Sequence, residues 1–149
     1  MTDQAETRIW VFFYGSNINL DVLKAAGLIP AEWEIARAPG FDIRIAPTAN
    51  LIPSDQHTVW GINATATHSE LAGLYTNYVR GTLGQTYLPE AILTVTAEGK
   101  LRPAITYISH EMAPGNADPA YLDRIVVPAR QFGFPPWYLE KLETFRARG

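Results

Sequence analysis

The sequence predicts an α+β fold, a small mixed β-sheet or barrel flanked by short helices. Segments with strand character fill its first two thirds: the apolar run Ile9 to Phe13 and the alternating segments Phe41 to Ile45 and Trp60 to Ala66. Glu98-Gly99-Lys100 separates two further apolar segments, as a hairpin turn does. The last third carries helix-start signals instead, Asp118-Pro119 and Pro135-Pro136.

Each element has its own justification. Arg8 to Phe13 is β-favouring throughout and reads as a buried strand. Asn19 is a good N-cap for a short helix through Ala26, which Gly27 stops. Phe41, Ile43 and Ile45 alternate with Asp42 and Arg44, and Trp60, Ile62, Ala64 and Ala66 alternate likewise, so both segments read as half-buried antiparallel strands. Ser69 is placed to cap a short helix carrying Leu71 and Leu74, followed by a loop from Val79 to Gly84. Ala91 to Ala97 and Ala104 to Ile108 form the hairpin around Gly99. Asp118 caps a helix that Gly133 ends, and Pro128 predicts a kink or break within it, because an interior proline costs about 3 kcal/mol or more. A final amphipathic helix after Pro135-Pro136 carries Trp137, Leu139, Leu142 and Phe145.

Length and composition bound the function. The 149 residues make one domain, residues 1–149, with room for a real core. Hydrophobic residues at 47% against 18% charged indicate a globular chain. Twelve Lys and Arg against fifteen Asp and Glu give a charge of −3 with no basic run, so nucleic acid is not an expected partner. The absence of cysteine excludes disulfides, thiolate metal sites and a cysteine nucleophile. Met1 to Thr7 is polar and the apolar run after it is too short to span a membrane, so a cytoplasmic location is expected, with no membrane partner.

The chemistry concentrates in one place. Phe12-Phe13-Tyr14-Gly15-Ser16-Asn17 passes abruptly from strand to turn formers, and Gly15 lets the backbone take unusual φ values and approach a ligand closely. Backbone N–H groups at Gly15, Ser16 and Asn17 suit a small anion. Other signatures are missing: there is no phosphate loop or dinucleotide fingerprint, so no cofactor is expected. His57, His68 and His110 are isolated, so no metal site is expected either. Ser16 lacks the glycine pattern of a nucleophile elbow, and Gly81-Thr82-Leu83-Gly84 has only Arg80 as a nearby cation for an RNA-binding reading. Asn63-Ala64-Thr65 matches a glycosylation sequon.

Tyr14-Gly15-Ser16-Asn17 is similar to the YGSN signature of the γ-glutamylcyclotransferase-like family, which lies there in a loop after the first strand. Val59-Trp60-Gly61 looks like the V-[WF]-G strand of that family. Pro119-Ala120-Tyr121, then Ile125, Ala129, Phe134-Pro135 and Tyr138 through Leu142, resembles the family's ending, so the likeness covers roughly residues 8 to 145. The resemblance implies a small mixed β-barrel flanked by helices. It also implies an enzyme that releases an amine from a γ-glutamyl amide while the glutamyl part closes to 5-oxoproline. That reaction needs a neutral α-amine, donors for the oxyanion and a held α-carboxylate.

One position departs from the pattern. Family cyclotransferases carry a glutamate shortly after a helix written L-x-x-L-[DE]; here the helix reads Leu71-Ala72-Gly73-Leu74-Tyr75, and Tyr78 stands where the glutamate is expected. No acidic residue occurs between Glu70 and Glu90. A tyrosine with pKa near 10 is ionised in about one part per thousand at pH 7, a penalty of roughly 4 kcal/mol against a carboxylate base. Tyr78 therefore reads better as a wall or hydrogen-bond donor than as a base. Glu90 is the other candidate for proton handling, while Asp42, Asp55, Glu111 and Asp118 are more remote. Tyr87 and Tyr121 resemble pocket tyrosines of the family and are expected to bind the ligand, alongside Tyr14, Gly15, Ser16 and Asn17.

Three functions fit these residues. The first is a cyclotransferase-like enzyme on a small γ-glutamyl or related amide. The second is a hydrolase or acyltransferase on another small amide, using an acid such as Glu90. The third is a non-catalytic protein that binds a small anion and has lost the base. In each the partner is a small molecule bearing a carboxylate, and a homodimer is compatible with all three.

Overall fold

The computed structural model describes residues 6–76, 79 and 85–146 of the chain. Its strands are β1 (Arg8–Phe13), β2 (Trp33–Ile45), β3 (Ala49–Thr67), β4 (Leu88–Thr96) and β5 (Leu101–Ile108), laid side by side in the order β1-β3-β2-β4-β5. Neighbours pair antiparallel until the ends of the sheet meet, where β1 joins β5 in parallel through Val11–Ile105 and Phe12–Thr106. The mixed five-stranded sheet thus closes on itself at a short seam, in the α+β class the sequence predicts. Helices α1 (Leu20–Ala25), α2 (His68–Ala72), α3 (Pro119–Gln131) and α4 (Pro136–Glu143) flank it. No helix among the described residues is long and apolar enough to cross a membrane.

Val11, Phe12 and Phe13 are all buried, although successive strand residues face opposite ways. A strand covered on both faces has no polar side, which is why this run is apolar without alternation. Gly61 explains why β3 carries a glycine beside Trp60. A Cβ there would lie 2.1 Å from the Phe13 carbonyl oxygen and 2.9 Å from the Phe12 ring. One residue from every strand enters a polar cluster across the sheet. The Arg102 guanidinium donates twice to Glu34 at 2.7 and 2.8 Å and lies 4.1 Å from the Trp10 ring centroid. Asn63 bonds both Glu34 and Thr94. Asn63 is fully buried there, so the sequon is closed to glycosylation in the folded chain.

Several boundaries differ from the sequence expectation. The segments at Phe41 and Trp60 are the ends of two long paired strands, β2 and β3. Pro39-Gly40 hides the continuity, because Gly40 at φ 90° and a shifted register between Pro39 and Phe41 form an irregularity inside β2. Thr67, not Ser69, caps α2, in a capping box with Glu70. Asn19 caps α1 as expected, accepting from the Asp21 N–H. The hairpin turns at Gly99, φ 85°, with both strands starting three residues earlier than expected. Pro128 does not break α3, which runs unbroken to Gln131. Pro128 lies within the last turn of the helix and is buried, as are Ile125 and Ala129. In α4 the buried aromatic is Tyr138, whereas Trp137 is exposed.

Candidate functional site

The loop after β1 turns at once into a single 3₁₀ turn, Ser16–Ile18, closed by the Ile18 N–H on the Gly15 carbonyl and the Asn19 N–H on that of Ser16. The turn's own bonds leave the Ser16 and Asn17 amides unused. Gly15 sits at φ −101°, which any residue tolerates, so it is not needed for a left-handed backbone. It is needed for space: a Cβ at this position would lie 2.9 Å from the Ala49 Cβ and 3.5 Å from the Tyr121 hydroxyl.

Around this loop the fold gathers aromatic rings. Tyr14, Gly15, Ser16, Asn17, Tyr87 and Tyr121 line one partly open cavity of about 30 Å³ with Phe13, Ala49, Tyr75, Val79 and Tyr107. Each tyrosine is fixed by the backbone or by a neighbouring ring. The Tyr14 hydroxyl donates to the Tyr107 carbonyl at 2.6 Å. Tyr121, carried inward on α3, accepts the Ala49 N–H at 2.9 Å, and Ser16 lies beside the same oxygen. Tyr87 donates to the Ala49 carbonyl and shares a 2.9 Å hydrogen bond with Thr48. Tyr75 stacks on Tyr107 with centroids 3.7 Å apart, and the Asn17 amide lies against the Tyr75 hydroxyl.

The electrostatics follow from burial. Desolvation pushes Tyr14 and Tyr75 well above the ordinary tyrosine value and raises Tyr87 and Tyr107 in the same direction. Tyr121 is pushed up to about 12, with hydrogen bonds from Ala49 and Ser16 and the Arg124 guanidinium pulling the other way. All five are therefore neutral O–H groups at neutral pH. No aspartate or glutamate lines the cavity among the described residues.

Glu90 does not join this group. It is solvent-exposed on β4, paired with Thr106, and does not line the cavity. Tyr78 and the Gly81 to Gly84 loop lie outside the described residues. The sequence reading missed Tyr75, Tyr107 and Ala49 as site residues. Tyr75 follows the apolar α2 segment and Tyr107 ends a hairpin strand, so both carried only the signal of packing aromatics. Nothing about an alanine announces a backbone that bonds two tyrosines. Among the described residues no group of three His, Cys, Asp or Glu is placed to hold a metal ion.

No protein-family model matches the chain, and no curated protein matches it in sequence. Solved structures do match in shape. A γ-glutamyl cyclotransferase aligns with a TM-score of 0.80 at 21% identity, over 95% of this chain and 90% of its own. An uncharacterized protein from Homo sapiens aligns with a TM-score of 0.78 at 22% identity, over 96% and 90%. A yeast γ-glutamyl cyclotransferase specific to glutathione aligns with a TM-score of 0.65 at 13% identity, over 95% and 98%. Matched over nearly the whole length of both partners, this chain has the γ-glutamylcyclotransferase-like fold.

Proposed function

We propose that the chain binds a small carboxylate-bearing molecule in the tyrosine-lined cavity, and that it binds without turning the molecule over by carboxylate-assisted cyclisation. The observation that carries this reading is the set of neutral hydroxyls around Gly15 to Asn17 with no carboxylate side chain beside them among the described residues. Buried O–H groups are donors suited to a carboxylate or carbonyl oxygen. They are poor bases. With a pKa of about 12, Tyr121 is ionised in roughly one molecule in 100,000 at pH 7, a penalty of roughly 7 kcal/mol for proton abstraction. The segment 71–89 contains no acidic residue that could supply the missing base.

Thermal unfolding with and without ligand tests this. A ligand at a hundred times its Kd stabilises by about 2.7 kcal/mol, which raises the Tm of a chain this size by roughly 5–10 °C. We expect such a rise with at least one small carboxylic acid or amide and no 5-oxoproline release from any γ-glutamyl amide.

The fold likeness to two cyclotransferases favours one second reading, an enzyme of that type acting on a γ-glutamyl or related amide. It predicts release of 5-oxoproline well above background. A variant Tyr78→Glu, which restores the residue expected by resemblance, is then expected to raise the rate several-fold. On the binding reading the wild-type chain releases none.

A further inference from the structure

A second concavity lies outside the tyrosine cavity, where the β2–β3 hairpin meets the segment after β5. It is a partly open groove of about 260 Å³, lined among others by Arg44, Asn50, Ile52, Ser109, His110 and Met112. Arg44 and Asn50 stand opposite each other in the strand register, so their side chains share one face. Asn50 fastens the segment after β5 to that face. Its Nδ2 donates to the Ser109 carbonyl at 2.7 Å, and its Oδ1 accepts the Ser109 N–H at 3.0 Å. Ser109 is thus tied through its backbone, which leaves its hydroxyl for the groove, and the His110 ring follows it there.

The charges in this groove do not cancel. No aspartate or glutamate lines it, although the chain as a whole carries a charge of −3. Arg8, Arg102 and Arg146 each hold a carboxylate, whereas Arg44 has no ion-pair partner among the described residues. Asp42, two residues earlier on the same face of β2, is taken by Lys141. Glu111 is exposed and does not line the groove.

We infer that this groove is a second ligand site, and that its ligand is a phosphate monoester. A phosphate brings three acceptor oxygens and close to two negative charges at neutral pH. The planar fork of Arg44 suits two of those oxygens at once, and the Ser109 hydroxyl and an imidazole N–H of His110 serve the remaining lone pairs. A carboxylate has two oxygens and one charge, so it satisfies fewer of these donors. Ile52, Met112 and Pro114 offer the organic part of the ester an apolar wall.

NMR titration at pH 7 with phenyl phosphate, and with benzoate as its carboxylate counterpart, tests the inference. Phenyl phosphate is expected to shift the His110 ring resonances saturably and to bind at least tenfold more tightly than benzoate. Arg44→Gln is expected to weaken phenyl phosphate binding at least tenfold at an unchanged Tm, because Arg44 is exposed and unpaired. Arg130→Gln makes the same change in net charge at an exposed position on α3 away from the groove lining, and is expected to leave the affinity unaltered. The absence of a saturable His110 shift up to about 10 mM phenyl phosphate overturns the inference. Equal affinity for benzoate overturns it too, and so does an equal loss in both arginine variants, which is general attraction of anions to surface charge. Shifts confined to the cavity tyrosines place the phosphate in the first site and contradict a second one.

Discussion

Ala49 joins more of the site than its methyl group suggests. Its N–H donates to Tyr121, its carbonyl accepts from Tyr87, and its Cβ closes the space above Gly15. Removing the Tyr121 hydroxyl therefore strands a buried N–H as well as a ligand donor. Tyr121→Phe is expected to cost about 1–3 kcal/mol in urea unfolding, and to weaken ligand binding further than that loss of stability alone explains. Gly61 sets a harder limit. With the Phe13 carbonyl 2.1 Å from where a Cβ would sit, the clash is with backbone and no rotamer change relieves it. Gly61→Ala is expected to destabilise by about 3 kcal/mol or more, read from the denaturation midpoint or from loss of soluble protein. The sequence marked Gly15 and Ser16 because turn formers after an apolar strand are conspicuous. It did not mark Ala49, whose contribution is made entirely by its backbone.

At the scale of elements, the signals that carried through were local ones. Asn19 and Asp118 cap their helices as read, since a cap needs only the neighbouring N–H groups. The long strands β2 and β3 were legible only at their alternating ends. Their inner halves are held by pairing with each other across the chain, which no local pattern records. Thr67 outcompeted Ser69 as a cap because Glu70 completes the box and also accepts the Ile29 N–H and the Arg8 guanidinium. Thr67→Ala is expected to cost about 1 kcal/mol, measured by chemical denaturation. That loss concerns the site as well, because α2 leads into Tyr75.

The whole molecule combines a closed sheet with a cavity of buried phenols, and its pH dependence follows from that. Each cavity tyrosine keeps its proton to a higher pH when folded than when unfolded. The stability they contribute is complete below pH 10 and is lost as the pH rises beyond it, at up to about 1.4 kcal/mol per pH unit for each tyrosine. Glu34, held low mainly by the Arg102 hydrogen bond, and Glu70, held low by the Ile29 and Thr67 amides, act oppositely. Their contribution is present above pH 4.5 and disappears as the pH falls below it. A Tm profile flat from pH 6 to 9 and falling on both sides is expected. A decline already complete by pH 9 would contradict neutral, buried tyrosines.

Recognition of the fold from sequence worked because its signature segments hold glycines where the chain packs too closely for a Cβ, Gly15 against the Ala49 methyl and Gly61 against the Phe13 carbonyl, and glycine is conspicuous there. The ligand chemistry was less legible, because tyrosines at 75, 87, 107 and 121 come from separate elements and converge only when the sheet closes. The most direct measurement of the central claim is calorimetric titration of L-5-oxoproline and of γ-glutamyl-L-alanine into the protein at pH 7. The cavity of neutral tyrosines predicts a saturable heat with the first and no sustained heat of reaction with the second. Sustained heat with accumulating 5-oxoproline from γ-glutamyl-L-alanine would show that a base operates in this cavity, and would contradict the account.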